Sequence, residues 1–93
     1  MSTFFMFGKY SDQSVKEISE KRTRQVMEIV EELGGEIKDM YAVLGAYDLV
    51  LIVRFPNMAD ALKASVAMSQ SLGISFSTLP AMPIEEFDRL VGK

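Results

Sequence analysis

The sequence predicts a single α+β domain in which four strands and two helices follow the order βαββαβ. Three observations support this prediction. Apolar runs of strand length alternate with two segments of helical spacing, glycines follow both helical segments, and a proline closes the most apolar run. A chain of 93 residues is also the right length for one domain, so we assign residues 1–93 to it.

The first half of the chain is predicted to form a strand, a helix and a second strand. The aromatic run Thr3 to Phe7 is the first strand, and Gly8 opens a loop after it. One helix is predicted from Val15 to Leu33 and ends at Gly34. Its apolar stripe consists of Val15, Ile18, Val26, Ile29 and Leu33. The run from Glu36 to Leu44 is the second strand.

The second half repeats the pattern. Asp48 to Phe55 is the third strand and the most apolar one. The second helix is capped by Asn57 and ended by Gly73. Ile74 to Met82 is the fourth strand, and Pro83 to Leu90 is predicted to add a terminal helical turn.

This element order is that of the ferredoxin-like fold, with an antiparallel sheet in the spatial order 4-1-3-2. Strands one and three then occupy the centre, and they are the most apolar strands. Side chains alternate along a strand, so both faces of the sheet centre are apolar, whereas the two helices cover only one. Soluble monomers rarely expose so large an apolar surface. The sequence therefore predicts a homodimer that stacks sheet against sheet.

Composition excludes several functional classes. A net charge of −3 disfavours binding to nucleic acid or to an anionic membrane. The chain contains no cysteine and no histidine, which removes disulfides, thiolate chemistry and His-ligated haem or zinc. There is no nucleotide-binding glycine motif, so we expect no cofactor and no metal. No signal peptide or membrane-spanning run is present in the sequence, and we expect a cytoplasmic protein.

Polar side chains cluster at one predicted end of the sheet. The turn between strands two and three contains Gly45, Tyr47 and Asp48. The loop after strand one contains Lys9, Tyr10 and Asp12. In a βαββαβ fold these two connections emerge at the same end, together with the N-terminus of the first helix. We predict that these residues line a small polar pocket, in which Asp48 orients Tyr47 or Lys9. Structural roles are the other interpretation: a positive φ at Gly45, a covering ring at Tyr47, and amide contacts at Asp48.

Arg22 occupies the middle position of the first helical stripe, where an apolar residue is expected. Its guanidinium can extend to the surface, meet a structural carboxylate, or bind an anion in a cavity. We include Arg22 among the candidate ligand-binding residues.

The segments "GKYSDQ" and "EELGGEIKDMYAVLGAYDLVLIV" and the Ser/Thr-containing last strand resemble the GYD-domain family, named for its Gly-x-Tyr-Asp motif. The resemblance covers about Phe4 to Leu90 and implies membership of the dimeric α/β-barrel superfamily. A looser similarity connects the chain to the ligand-sensing domain of leucine-responsive-type regulators, and implies a stand-alone sensing module, since the sequence has no helix-turn-helix. Small antibiotic-biosynthesis and haem-degrading monooxygenases of the same superfamily are also similar, although the usual haem-ligating histidine is missing.

Three functions follow from these observations as hypotheses. The first is non-catalytic binding or sensing of a small polar molecule by a homodimer. The second is a cofactor-independent monooxygenase or isomerase acting in the barrel cavity, with a tyrosine as acid or base. The third is a structural assembly module.

Overall fold

The structure is a computed structural model that describes residues 1–93. Its elements are β1 (Ser2–Tyr10), α1 (Asp12–Lys16), α2 (Glu20–Glu32), β2 (Glu36–Ala42), β3 (Leu49–Phe55), α3 (Met58–Leu72), β4 (Ile74–Ala81) and α4 (Ile84–Val91). None of the helices is long and apolar enough to cross a bilayer.

The four strands form one antiparallel sheet in the order β2-β3-β1-β4. This is the predicted order 4-1-3-2 counted from the opposite edge, so the predicted topology is confirmed. The apolar strands β1 and β3 occupy the centre. Asn57 caps α3 as expected, since its Oδ1 accepts a hydrogen bond from the Asp60 amide at 3.0 Å.

One face of the sheet, the helix-covered face, carries the core. Alternate residues of β1 and β3 point into it, and those from Phe4 to Gly8 and from Leu49 to Phe55 are buried. Helices α2 and α3 supply the opposing layer with small and branched side chains. The main buried residues are Phe4, Met6, Leu51, Val53 and Phe55 from the sheet, and Val26, Val30, Ala61, Ala64 and Met68 from the helices.

The other face of the sheet has no helix on it, and we call it the open face. Its central side chains are Phe5, Phe7, Val50 and Ile52, all partly exposed. In the cross-strand register, Leu79 lies beside Phe5, and Tyr41 lies beside Val50. The prediction that both faces of the sheet centre are apolar is therefore confirmed.

The predicted single helix from Val15 to Leu33 is wrong, because the chain breaks at residues 17–19 into α1 and α2. Ser19 adopts extended backbone angles there, and its hydroxyl accepts a hydrogen bond from the Arg22 amide at 3.0 Å, which starts a new helix. Val15 and Ile18 are 52% and 60% exposed, so neither belongs to the buried stripe.

Gly8 lies inside β1 and does not end it, which also corrects the prediction. The ring of Phe76 on the neighbouring strand covers Gly8, and an added Cβ would lie 2.8 Å from a ring carbon. Glycine here permits a close approach between side chain and backbone. Because the strand continues to Tyr10, Lys9 and Tyr10 point to opposite faces of the sheet.

The terminal helical turn expected near Pro83 is a helix of eight residues, α4. None of its residues is buried. The molecule is elongated, with principal extents of 49 × 29 × 19 Å.

Candidate functional site

Asp48 fastens the β2–β3 turn to the end of β1. Its Oδ2 accepts a hydrogen bond from the Tyr10 amide at 2.9 Å and lies 3.7 Å from Lys9 Nζ. Its own amide donates to the Gly8 carbonyl at 2.8 Å, and its carbonyl accepts from the Val43 amide at 3.0 Å. The structure thus brings Lys9, Tyr10 and Asp48 together as predicted. Asp48 contacts the backbone of β1 as well as the Lys9 side chain.

Tyr47 lies on the open face. Its ring packs against Phe7 with the ring centroids 5.3 Å apart, and the residue is 37% exposed. Gly45 has a φ of +127°, in the region that favours glycine, so the predicted turn role is confirmed.

Tyr10 lies on the helix-covered face, away from Tyr47. Its ring packs against the core and lies beneath the Arg22 guanidinium, whose central carbon is 4.6 Å from the ring centroid. Asp12 is exposed in the first turn of α1 and makes no ion pair. The predicted arrangement, with Tyr10 and Asp12 opposite Tyr47 in one pocket, is not formed. The physical reason is the side-chain alternation along β1, which separates Lys9 and Tyr47 from Tyr10.

Arg22 is the most unusual polar residue of the chain. It is only 6% exposed. Its Nη1 donates to the Ser14 carbonyl at 2.6 Å and to the Ser14 hydroxyl at 2.8 Å. The two ion pairs of the molecule join Lys9 to Asp48 and Arg54 to Glu36, so no carboxylate pairs with Arg22. The structural carboxylate considered from the sequence is therefore absent.

An open pocket of about 400 Å³ lies beside Arg22, where the α1–α2 break meets the end of α3. Its lining is Lys16, Glu17, Ile18, Ser19, Lys21, Arg22, Gln25, Ser71 and Leu72. All hydrogen bonds of the guanidinium run through Nη1, yet no buried side-chain nitrogen lacks a partner. The Nε and Nη2 groups therefore have access to solvent, and the pocket is where Arg22 meets it. We call this the Arg22 pocket.

The Arg22 pocket combines three cations with one carboxylate, in a protein whose net charge is −3. Sequence reasoning missed it because a continuous helix leaves no gap at residues 17–19. The available signal was Ser19, a residue type that favours N-cap positions. Elsewhere, the structure brings no three Asp or Glu side chains together in a group that could hold a metal ion.

The fold and these contacts define a small α+β domain with a ferredoxin-like sheet, one open apolar face and a polar turn fastened to β1. The family model of the GYD domain matches residues 4–91. The chain belongs to the GYD domain family.

Two further proteins are similar to this chain. A glutamine synthetase and cystathionine beta-lyase binding protein of Thermus thermophilus is 27% identical over 90 residues, which cover 92% of this chain and 94% of that protein. The crystal structure of the leucine response regulatory protein of Mycobacterium tuberculosis matches with a TM-score of 0.63 at 15% identity. That match covers 88% of this chain and 51% of the regulator, so this chain spans about half its length. The likeness to the regulator shows the fold alone.

Proposed function

We propose that this protein is a homodimeric, non-catalytic binding protein whose small-molecule ligand is an anion held in the Arg22 pocket. The observation that supports this most directly is a guanidinium that is nearly buried, has no carboxylate partner and borders an open pocket.

Electrostatics favours an anion at this position. Removing an ion from water costs several kcal/mol, even after the surroundings relax. The Ser14 oxygens and the Tyr10 ring offset part of this cost for Arg22. A carboxylate or phosphate group would offset more, because it accepts charge-assisted hydrogen bonds from two guanidinium nitrogens at once. The apolar lining residues Ile18 and Leu72 suit the carbon skeleton of such a ligand.

Binding without turnover fits the way the other candidate groups are engaged. Asp48 Oδ2 already accepts from an amide and lies beside the Lys9 ammonium. The Tyr10 ring is held between the core and the guanidinium. A general acid or base needs an atom within reach of the substrate, and these two side chains serve structural contacts. The alternative of a monooxygenase or isomerase would depend on the open face, where Tyr47 packs on Phe7.

The proposed homodimer uses the open face. Phe5, Phe7, Val50 and Ile52 form a continuous apolar surface across the two central strands. A second copy of the same face is a self-complementary partner, as a two-fold interface requires. Stacked sheets pack about 10 Å apart, a distance that these side chains can fill.

The test of the ligand is a thermal-shift titration followed by calorimetry, with inorganic phosphate and a panel of mono- and dicarboxylates. At least one anion should raise the melting temperature saturably. Arg22→Met should abolish this response and Arg22→Lys should weaken it about tenfold, because a lysine lacks the planar donor pair. The control Arg24→Met, on the exposed side of α2, should respond like the wild type. Absence of any saturable response, or an equal response in Arg22→Met, would contradict the proposal.

A second candidate function is the binding of another protein, and the outer surface of α3 favours it. Leu62 and Val66 are 50% and 54% exposed there, on the side of the helix layer that faces away from the sheet. They line a shallow apolar groove of about 500 Å³ with Ala59, Lys63, Ala67 and Gln70. The similarity to a protein named for binding glutamine synthetase and cystathionine beta-lyase makes these two enzymes the first partners to test.

Biolayer interferometry with each purified enzyme tests this candidate. Val66→Glu should abolish binding, because it places a charge in the groove. Val15→Glu is the matched control, since Val15 is exposed to a similar extent, 52%, on another helix. Equal binding by both variants would remove the α3 groove from consideration.

A further inference from the structure

Helix α4 has a strongly amphipathic sequence but no surface of its own chain to pack on. Its apolar side chains lie on one side and its charged residues on the other, as the spacing of a helix dictates. The apolar residues are Ile84, Phe87, Leu90 and Val91, which are 63%, 48%, 67% and 64% exposed. Helix α3, by contrast, buries three residues completely.

An isolated helix of this length is not stable in water. Helices shorter than about 12–15 residues are marginal without tertiary packing. In α4 the N-cap position is Pro83, with no side-chain capping bond. No hydrogen bond or ion pair joins an α4 side chain to the rest of the chain. The helix therefore needs a packing surface that this protomer does not provide.

The base of α4 adjoins the open face. A cavity of about 180 Å³ lies between Met82 and Pro83, just before the helix, and Thr3 and Phe5 of the open face. A wider space of about 590 Å³ is lined by Glu86 of α4 together with Ile52 and Arg54 of β3. The apolar side of α4 and the open face are thus two uncovered surfaces at one end of the sheet.

We propose that α4 is an arm that packs its apolar side against a second copy of this chain, next to the stacked open faces. This inference rests on the proposed homodimer and adds a contact to it. A two-fold axis makes the contact reciprocal, so the arm of each copy packs on the other copy. Eight helical residues extend about 12 Å, which suffices to span the about 10 Å between stacked sheets.

The charge of α4 also favours a second copy of this chain as its partner. The polar side of α4 is predominantly acidic, with Glu85, Glu86 and Asp88 against one arginine. The open face carries cations at its two ends, Lys9 and Arg54. Both are well exposed, and each also lies near one carboxylate of its own chain, at 3.7 and 3.9 Å. A second copy thus offers the margin of its apolar face to the arm and a cation near the arm's acidic side.

Sedimentation velocity over a dilution series of the full chain tests the arm. Leu90→Ser should raise the dimer dissociation constant at least about tenfold, the loss expected for one buried leucine. The matched control is Arg89→Ser, the neighbouring residue on the polar side, which should leave the constant within about twofold. The chain has no tryptophan, so Phe87→Trp gives a single reporter. Its emission should be blue-shifted in the dimer and shift to the red on dilution.

Each contrary result has its own meaning. If the wild type is a dimer, Leu90→Ser dimerises equally well and the indole emits as in water, the arm is overturned while the homodimer stands. If Leu90→Ser removes only a larger assembly and leaves the dimer intact, α4 packs on another dimer, most simply on its α3 groove, and the arm as proposed is overturned. A folded wild type that stays monomeric at every concentration overturns the homodimer and the arm together.

Discussion

Both faces of the sheet are apolar at its centre, but the two faces differ in what covers them. Leu51 and Ile52 are neighbours on β3, yet Leu51 is completely buried and Ile52 is partly exposed. Both crossover helices, α2 and α3, pack on the same side of the sheet, so a single chain covers only one of the two faces. The comparison teaches that a continuous apolar run specifies a strand with two apolar sides, and that connectivity decides which side the chain covers by itself.

The largest expected effect comes from substituting Leu51 on the helix-covered face. Leu51→Ala should lower the free energy of unfolding by about 2–5 kcal/mol, since it leaves a cavity in the core. Leu51→Lys should prevent folding. Urea denaturation followed by far-UV circular dichroism measures both.

The matched change on the open face is Ile52→Lys. It should keep the helical far-UV signal and shift the mass measured by light scattering from a dimer to a monomer of 10.4 kDa. A dimer that survives Ile52→Lys, or loss of folding in this variant alone, would show that the two faces do not have the separate roles proposed here.

Gly8 tests the close packing within the helix-covered face. Gly8→Ala should destabilise the fold by about 1–3 kcal/mol, because the new methyl group displaces the Phe76 ring. Ser77→Ala, on the open side of the neighbouring strand, should change the unfolding free energy by less than about 0.5 kcal/mol. Thermal denaturation of the two variants compares them directly. Equal melting of Gly8→Ala and the wild type would mean that Phe76 relaxes at no cost.

Asp48 joins the polar end of the sheet to β1, and two substitutions separate its roles. Asp48→Ala should cost about 1–3 kcal/mol, because the partly buried Tyr10 amide loses its acceptor. Asp48→Asn should recover most of that loss, since an amide oxygen also accepts. Asp12→Asn is the exposed control and should be neutral. Equal losses in Asp48→Ala and Asp48→Asn would indicate that the Lys9 contact matters more than the hydrogen bond.

The smallest effect is expected at Tyr47. Tyr47→Phe should change stability by less than about 0.5 kcal/mol, because it keeps the ring on Phe7 and removes only the hydroxyl group. Anion binding in the Arg22 pocket should also be unchanged, since Tyr47 lies on the opposite face. Weaker anion binding in calorimetry would mean that the ligand binds near Tyr47 and not in the Arg22 pocket.

The sequence was sufficient for the topology because strand and helix periodicities are strong local signals. Val15 and Ile18 misled the helix prediction, since their spacing matches a stripe that the break at Ser19 leaves in solvent. Gly8 misled the strand prediction because the sequence alone does not distinguish a glycine that lies below an aromatic ring from a glycine in a turn.

The candidate site was predicted only in part. Topology brought Lys9, Tyr10 and Asp48 together, as expected from two connections at one end of the sheet. The face on which each side chain lies depended on the strand continuing through Gly8. The contact between Arg22 and Ser14 could not be predicted, because residues eight apart meet there only when the helix is broken.

The edges of the sheet restrict how this chain can associate. On β2 the register shifts between Ile37 and Asp39, at the exposed Lys38, and the other edge strand contains Pro80, which has no amide hydrogen to donate. Both features oppose the addition of a further strand, the route by which β-rich chains grow into fibrils. The sheet edges therefore resist strand addition even though the chain exposes a wide apolar face.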